Sequence, residues 1–211
     1  VLGLPKDRFS FVVRNAEADS ISSGVGFGYG VTWVKDAQGA TRVAQIVPGS
    51  PADKAGMARG GILATVIASS HNTWYPGSPG ETISFTYKAS AAAATSTINL
   101  SSSAVTEDPV PSSKVVTSNK GRRMGYVLFN AFTTGAQDKL ISALNAMAVS
   151  GIQDLVLDLR YNVGGFLYTA VSLASMITSP VNDGKVLERL QFNSRRNAET
   201  YSNVTLFAGT V

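Results

Sequence analysis

The chain has 211 residues, 44% of them hydrophobic and 15% charged, with a net charge of +4. That is enough apolar surface for a packed core, so general disorder is excluded. Cys is absent and His71 is the single His, which excludes disulfide scaffolds, Cys-based zinc sites and any mechanism that needs two His residues. The basic residues are scattered, and the adjacent pairs Arg122-Arg123 and Arg195-Arg196 read as solvated surface, so no nucleic-acid partner is expected. No apolar run is long enough to cross a membrane as a helix, so membrane association is expected only through a segment outside this chain. Val1 to Ser10 carries Lys6, Asp7 and Arg8 and does not read as a signal peptide.

In chain order, the first twenty residues have no strong period; Phe9, Phe11 and Val13 suggest a short strand. A glycine cluster follows in Ser23-Gly24-Val25-Gly26-Phe27-Gly28. Successive N–H groups in such a loop can form an anion nest, with glycine supplying positive φ. Val31 to Val34 and Thr41 to Val47 predict strands joined by a turn over residues 35–39. Pro48-Gly49-Ser50-Pro51 predicts a turn in which Ser50 caps one helical turn, Ala52 to Ala55, closed by Gly56. Leu63 to Ala68 and Thr82 to Tyr87 read as strands, and Ala91 to Ser103 as a hairpin with a flexible tip. Thr106 to Ser113, with Pro109 and Pro111, reads as a linker.

Beyond the linker the pattern changes to strand, helix, strand, helix. Gly125 to Phe129 is a strand. Thr133 or Thr134 caps a helix whose apolar face is Leu140, Ile141, Leu144, Met147 and Ala148, and Gly151 ends it. Leu155 to Leu159 is apolar enough for a sheet covered on both faces. Gly164-Gly165 opens a second helix, Phe166 to Ile177. Val186 to Phe192 and Val204 to Phe207 are further strands. The fold class is therefore α/β (α+β overall), in three parts: an N-terminal segment 1–20, a β-rich domain 21–107 and an α/β domain 108–211.

The second domain carries the chemical signal. A strand ends at Arg160, a tight turn follows, and two glycines start a helix. Helix N-termini expose unpaired N–H groups, and glycine lets a reacting carbonyl approach them, which is the logic of an oxyanion hole. A glycine-rich turn that merely closes a βα unit remains the alternative.

Two stretches resemble a known family. Val43 to Met57, with Gly49-Ser50-Pro51-Ala52 and Ala55-Gly56 at its centre, resembles a PDZ domain. Asp158-Leu159-Arg160-Tyr161-Asn162-Val163-Gly164-Gly165, with the upstream Gly125 to Phe132, resembles the tail-specific, or C-terminal processing, serine peptidases of family S41. The resemblance implies a small PDZ β-barrel-like domain followed by part of an S41 core of the ClpP/crotonase-like type. It implies endoproteolysis by a Ser nucleophile and a Lys base, with neither metal nor other cofactor. No Ser or Lys here matches the dyad, which is expected beyond Val211. Gly164 or Gly165 supplies an oxyanion N–H. Asp158, Arg160 and Asn162 brace the turn. Gly24, Val25, Gly26, Phe27 and Gly28 receive a substrate's free C-terminus, with Phe27 and Ile46 lining an apolar pocket. The resemblance also implies a periplasmic, cell-envelope or secreted location.

The sequence departs from the family at Val163, where Pro is usual, and at Gly60-Gly61, where Gly-Asp is usual. Only Ser69 to Glu81 is available for the groove helix of a PDZ domain, so that helix is either reduced or its residues are missing from this stretch. Two rivals remain: a catalytically inactive peptide-binding protein of the same architecture, and an acyl-CoA-handling enzyme of the crotonase kind. The second leaves the PDZ-like segment unexplained.

Overall fold

The computed structural model describes residues 15–69, 76, 78–162, 164–199 and 202–206. The suggested strand at Phe9 to Val13, the loop residue His71 and Val163 lie outside the described residues. The chain forms two compact units: one holds Val25–Glu107 with the chain up to Ile21, the other Asp108–Val211 with Ser22–Gly24.

Helix α1 (Asn15–Ser23) is the first described element; the sequence did not announce it because it has no apolar stripe, and its Ile21 is exposed. Strand β1 (Val25–Gly28) pairs antiparallel with β7 (Ser103–Thr106). A separate five-stranded sheet has the order β2 (Val31–Lys35), β3 (Thr41–Ile46), β4 (Ile62–Ser69), β5 (Thr82–Lys88), β6 (Ser96–Ser101). Among the described residues the sheet does not close as the expected barrel-like domain would: β2 and β6 are its edges, and β1 pairs with β7 and not with β2. Alternating Ile83, Phe85 and Tyr87 on β5 point into a core shared with Tyr29, Val43, Met57, Leu63 and Leu100. Trp33 meets Phe85 edge-on, with ring centroids 5.7 Å apart.

The short helix α2 (Pro51–Lys54) starts as its sequence dictates. Ser50 Oγ accepts from Asp53 N–H at 3.3 Å, and Asp53 Oδ2 accepts from Gly49 N–H at 2.7 Å. Ser50 also explains Gly30: a Cβ there would lie 2.1 Å from that of Ser50. Likewise a Cβ on Gly61 would lie 2.1 Å from the Tyr87 hydroxyl, which binds both the N–H and the C=O of Ala58. The departure at Gly60-Gly61 thus has a local packing reason.

In the second unit, β8 (Ser112–Thr117), β9 (Arg123–Leu128) and β10 (Asp154–Asp158) form a sheet of order β10-β9-β8. The expected linker therefore ends in a strand: β8 starts at Ser112, just after Pro111, and pairs antiparallel with β9. β9 and β10 are parallel, joined by α3 (Ala136–Val149). Neither Thr133 nor Thr134 caps α3; the cap position is Gly135 at φ +79°, with no side-chain bond. Leu140, Leu144 and Met147 are buried as the period requires, Ile141 is half-buried and Ala148 is exposed. Helix α4 (Leu167–Ile177) adds Leu173 to the same core, where Val127, Phe129 and Leu140 are fully buried. The sheet is not covered on both faces among the described residues: Val156, at the centre of β10, is 47% exposed. The unit ends in the antiparallel pair β11 (Val186–Leu190) and β12 (Ser202–Thr205).

Leu140 is the pivot between α3 and the sheet. Leu140→Ala is expected to destabilise the second unit by about 2–5 kcal/mol, lost burial plus residual cavity, as read from a denaturant midpoint. A loss below about 1 kcal/mol would show that this core is loosely packed.

Candidate active site

The site is built at the C-terminal end of β10. Asp158, 6% exposed, ends the strand, and its carbonyl accepts from Phe129 N–H at 2.9 Å. Its carboxylate accepts from the Arg160 backbone N–H at 3.0 Å, from the Arg160 guanidinium at 2.5–3.1 Å and from the Tyr126 hydroxyl at 2.8 Å. The Arg160 hydrogen bonds hold the Asp158 carboxyl far below the ordinary carboxylate range, against the opposing effect of burial. The Tyr126 phenol is pushed up by its hydrogen bond to the Asp158 carboxylate, and burial adds to this.

The chain then turns sharply. Tyr161 takes φ +67°, rare for a residue with a Cβ and a mark of local strain. Asn162 fastens the turn on two sides: Nδ2 donates to Phe129 C=O at 2.9 Å, and Oδ1 accepts from Gly164 N–H at 2.8 Å. Asp158, Arg160 and Asn162 are thus brought together around the turn, each by direct hydrogen bonds.

The two glycines differ. Gly164 has φ +92° and its N–H is occupied by Asn162; its C=O accepts from Phe132 N–H at 2.9 Å. Gly165 has φ +138°, is exposed, and its N–H donates no hydrogen bond among the described residues. A Cβ there would lie 2.3 Å from Phe132 O, so only glycine fits against that carbonyl. Sequence reasoning left the two glycines equivalent; the side chain of Asn162 separates them.

Helix α4 starts directly after them. Its N-cap, Phe166, makes no side-chain capping bond, so the first-turn N–H groups keep their partial positive charge. Phe166 and Tyr168 stack, with ring centroids 5.3 Å apart, and both are exposed. Leu167, Tyr168, Val171, Ser172, Gln137 and Val204 line an open cleft of about 490 Å³. Sequence reasoning singled out neither the cleft nor these residues; the signal available was the apolar Phe166-Leu167-Tyr168 run after the glycines.

The glycine-rich stretch Ser23 to Gly28 is mostly strand and not a nest. Gly24 has φ +70°, but Gly26 and Gly28 lie in extended β1, whose N–H and C=O groups alternate in direction along the strand. Phe27 is 53% exposed on β1, whereas Ile46 packs against the core. β4 and β5 pair as direct antiparallel neighbours. Among the described residues no group of three or more His, Cys, Asp or Glu gathers as a metal site.

Residues 123–208 match the family model "Peptidase family S41". A carboxyl-terminal-processing protease of Picosynechococcus sp. is 30% identical over 138 residues, which is 62% of this chain and 33% of that protein. The crystal structure of an S41 protease candidate from Bacteroides fragilis NCTC 9343 has a TM-score of 0.55 at 22% identity, over 90% of this chain and 52% of that one, a likeness of fold. The photosystem II D1 C-terminal processing protease gives a TM-score of 0.46 at 22% identity, over 75% of this chain and 46% of that one. The chain thus spans a third of the curated relative and about half of the solved chains it matches.

The Asp158 clamp sets a pH dependence. A carboxyl with a lowered folded pKa stabilises the fold above its unfolded pKa of about 3.9, and that stability is lost as the pH falls below it. Asp158→Asn is expected to lower the melting temperature at pH 7 and to flatten its decline from about pH 4 downward. Parallel acid-melting curves for the two proteins would show that the clamp carries no linkage.

The strand, the Asn-fastened turn and the paired glycines all lie within residues 123–208, the stretch that is similar to peptidase family S41.

Proposed function

We propose that this chain is part of a serine endopeptidase of the tail-specific type. The observation that carries the reading is the Gly165 N–H: it is undonated among the described residues, exposed, and set at an uncapped helix start. Such a group stabilises the oxyanion that forms as a nucleophile attacks a peptide carbonyl. Gly165 takes this role, and Gly164 is held back by Asn162. Asp158, Arg160 and Asn162 do not touch the substrate; they fix the turn that aims Gly165. A Ser nucleophile and a Lys base complete the site in this reading.

The first unit is a PDZ-like module in this reading. β1 pairs with β7 along one edge, and its other edge can accept an extended peptide as an added strand. Phe27 on β1 offers exposed apolar surface. Ile46 packs, partly buried, against the core of this unit. The substrates are proteins or peptides with a free apolar C-terminus. The periplasmic or cell-envelope location rests on the family resemblance alone.

The test uses the full-length protein and a peptide with a free apolar C-terminus. Cleavage is expected, with a weaker KM for the same peptide amidated. Gly165→Ala is expected to lower kcat about 10²-fold with little change in KM, and Gly164→Ala to lower it much less. Tight peptide binding without cleavage would favour the inactive peptide-binding rival. Equal losses from the two glycine variants would contradict the assignment to Gly165.

A further inference from the structure

Helix α4 buries three hydroxyl side chains on one stripe: Thr169, Ser172 and Ser175, at 0%, 3% and 2% exposure. Two of them are satisfied within the helix. Ser172 Oγ donates to Tyr168 C=O at 2.8 Å, and Ser175 Oγ donates to Val171 C=O at 2.7 Å. Thr169 Oγ1 has no partner among the described residues. A fully buried hydroxyl without a partner loses its hydration and gains nothing for it.

The place of Thr169 in the helix says which group it would engage. With Phe166 at the N-cap, Thr169 is the third helical residue. In a capping box the side chain at that position reaches back to the backbone N–H of the N-cap residue. Here that N–H belongs to Phe166 and is already spent: it donates to Phe132 C=O at 2.8 Å. Phe132 C=O is also the group pressed against the Cα of Gly165. The Phe166 N–H therefore has two acceptors in prospect, Phe132 C=O and Thr169 Oγ1, and the peptide unit it belongs to is the one that follows Gly165.

We propose that Thr169 is a positioning residue for the glycine turn. Its hydroxyl accepts the Phe166 N–H when the Gly165–Phe166 peptide moves off Phe132 C=O as negative charge gathers at the Gly165 N–H of the preceding peptide, so that no backbone donor is left bare. The proposal rests on the oxyanion role of Gly165, and on the stripe of hydroxyls for its one independent fact: of three buried side chains of the same kind, the one beside the glycines is the one without a partner.

The test compares Thr169→Val, which keeps the shape and removes the hydroxyl, with Thr169→Ser, which keeps the hydroxyl, in the full-length protein. Thr169→Val is expected to lower kcat about tenfold with KM within twofold, and to leave the melting temperature unchanged or raised. Thr169→Ser is expected to stay within about threefold of the parent. A Thr169→Val enzyme with unaltered kcat would overturn the proposal, and so would a Thr169→Ser enzyme as slow as the Val variant. A second readout needs no turnover: amide hydrogen exchange over residues 160–170, with a peptidyl boronate as the oxyanion mimic. With the mimic bound, Phe166 N–H is expected to stay protected in the parent and in Thr169→Ser and to lose protection in Thr169→Val; equal protection in all three overturns the proposal. A parent protein that cleaves no peptide and shows no exchange response to the boronate removes the oxyanion reading itself. A parent that cleaves while Thr169→Val matches it removes only the role of Thr169.

Discussion

The contact on which the second unit turns is the approach of the Gly165 backbone to the carbonyl of Phe132. A side chain at 165 would sit 2.3 Å from that oxygen. Because nothing but hydrogen fits, the strand-to-helix connection can lie flat against the Phe132 segment. Two hydrogen bonds close the contact, Phe132 N–H to Gly164 C=O and Phe166 N–H to Phe132 C=O. The Gly165 N–H takes part in neither bond and donates to no partner among the described residues.

The rest of the unit keeps this contact in place. Phe129 is fully buried and meets Phe132 edge-on at 4.6 Å, so the segment that carries Phe132 is anchored in the core. Asn162 links Phe129 C=O to Gly164 N–H, tying the glycines to the same anchor. Asp158, buried and charged, fixes the end of β10 through its own carbonyl, the Arg160 guanidinium and Tyr126. A buried carboxylate is tolerated here because each oxygen has donors. Packing, turn and electrostatics thus converge on one peptide group.

Much of this was legible in the sequence, for physical reasons. The strand β10, helices α3 and α4 and the cap at Ser50 follow from periodicity and capping chemistry, which are local. The Asn-x-Gly-Gly turn was recognisable because its residue types are those that positive φ and side-chain-to-backbone bonding demand. What was not legible depends on partners distant in sequence. Whether Gly26 and Gly28 curl or extend was decided by their pairing with β7, some eighty residues on. That Gly164 and Gly165 differ was decided by where Asn162 points, and it points there because Phe129 C=O, 33 residues upstream, takes its other end. The helix α1 was missed because it shows no apolar stripe, and β8 because two prolines beside it read as a linker.

The central claim is that Gly165 N–H faces the oxygen on which charge develops. The most direct measurement is a crystal structure of the full-length protein with a peptidyl boronate bound as a tetrahedral adduct. The account predicts an adduct oxygen about 2.7–3.1 Å from Gly165 N, with Gly164 N–H still on Asn162. An adduct whose oxygens all lie away from Gly165, or a Gly165 N–H turned into an internal hydrogen bond, would contradict it.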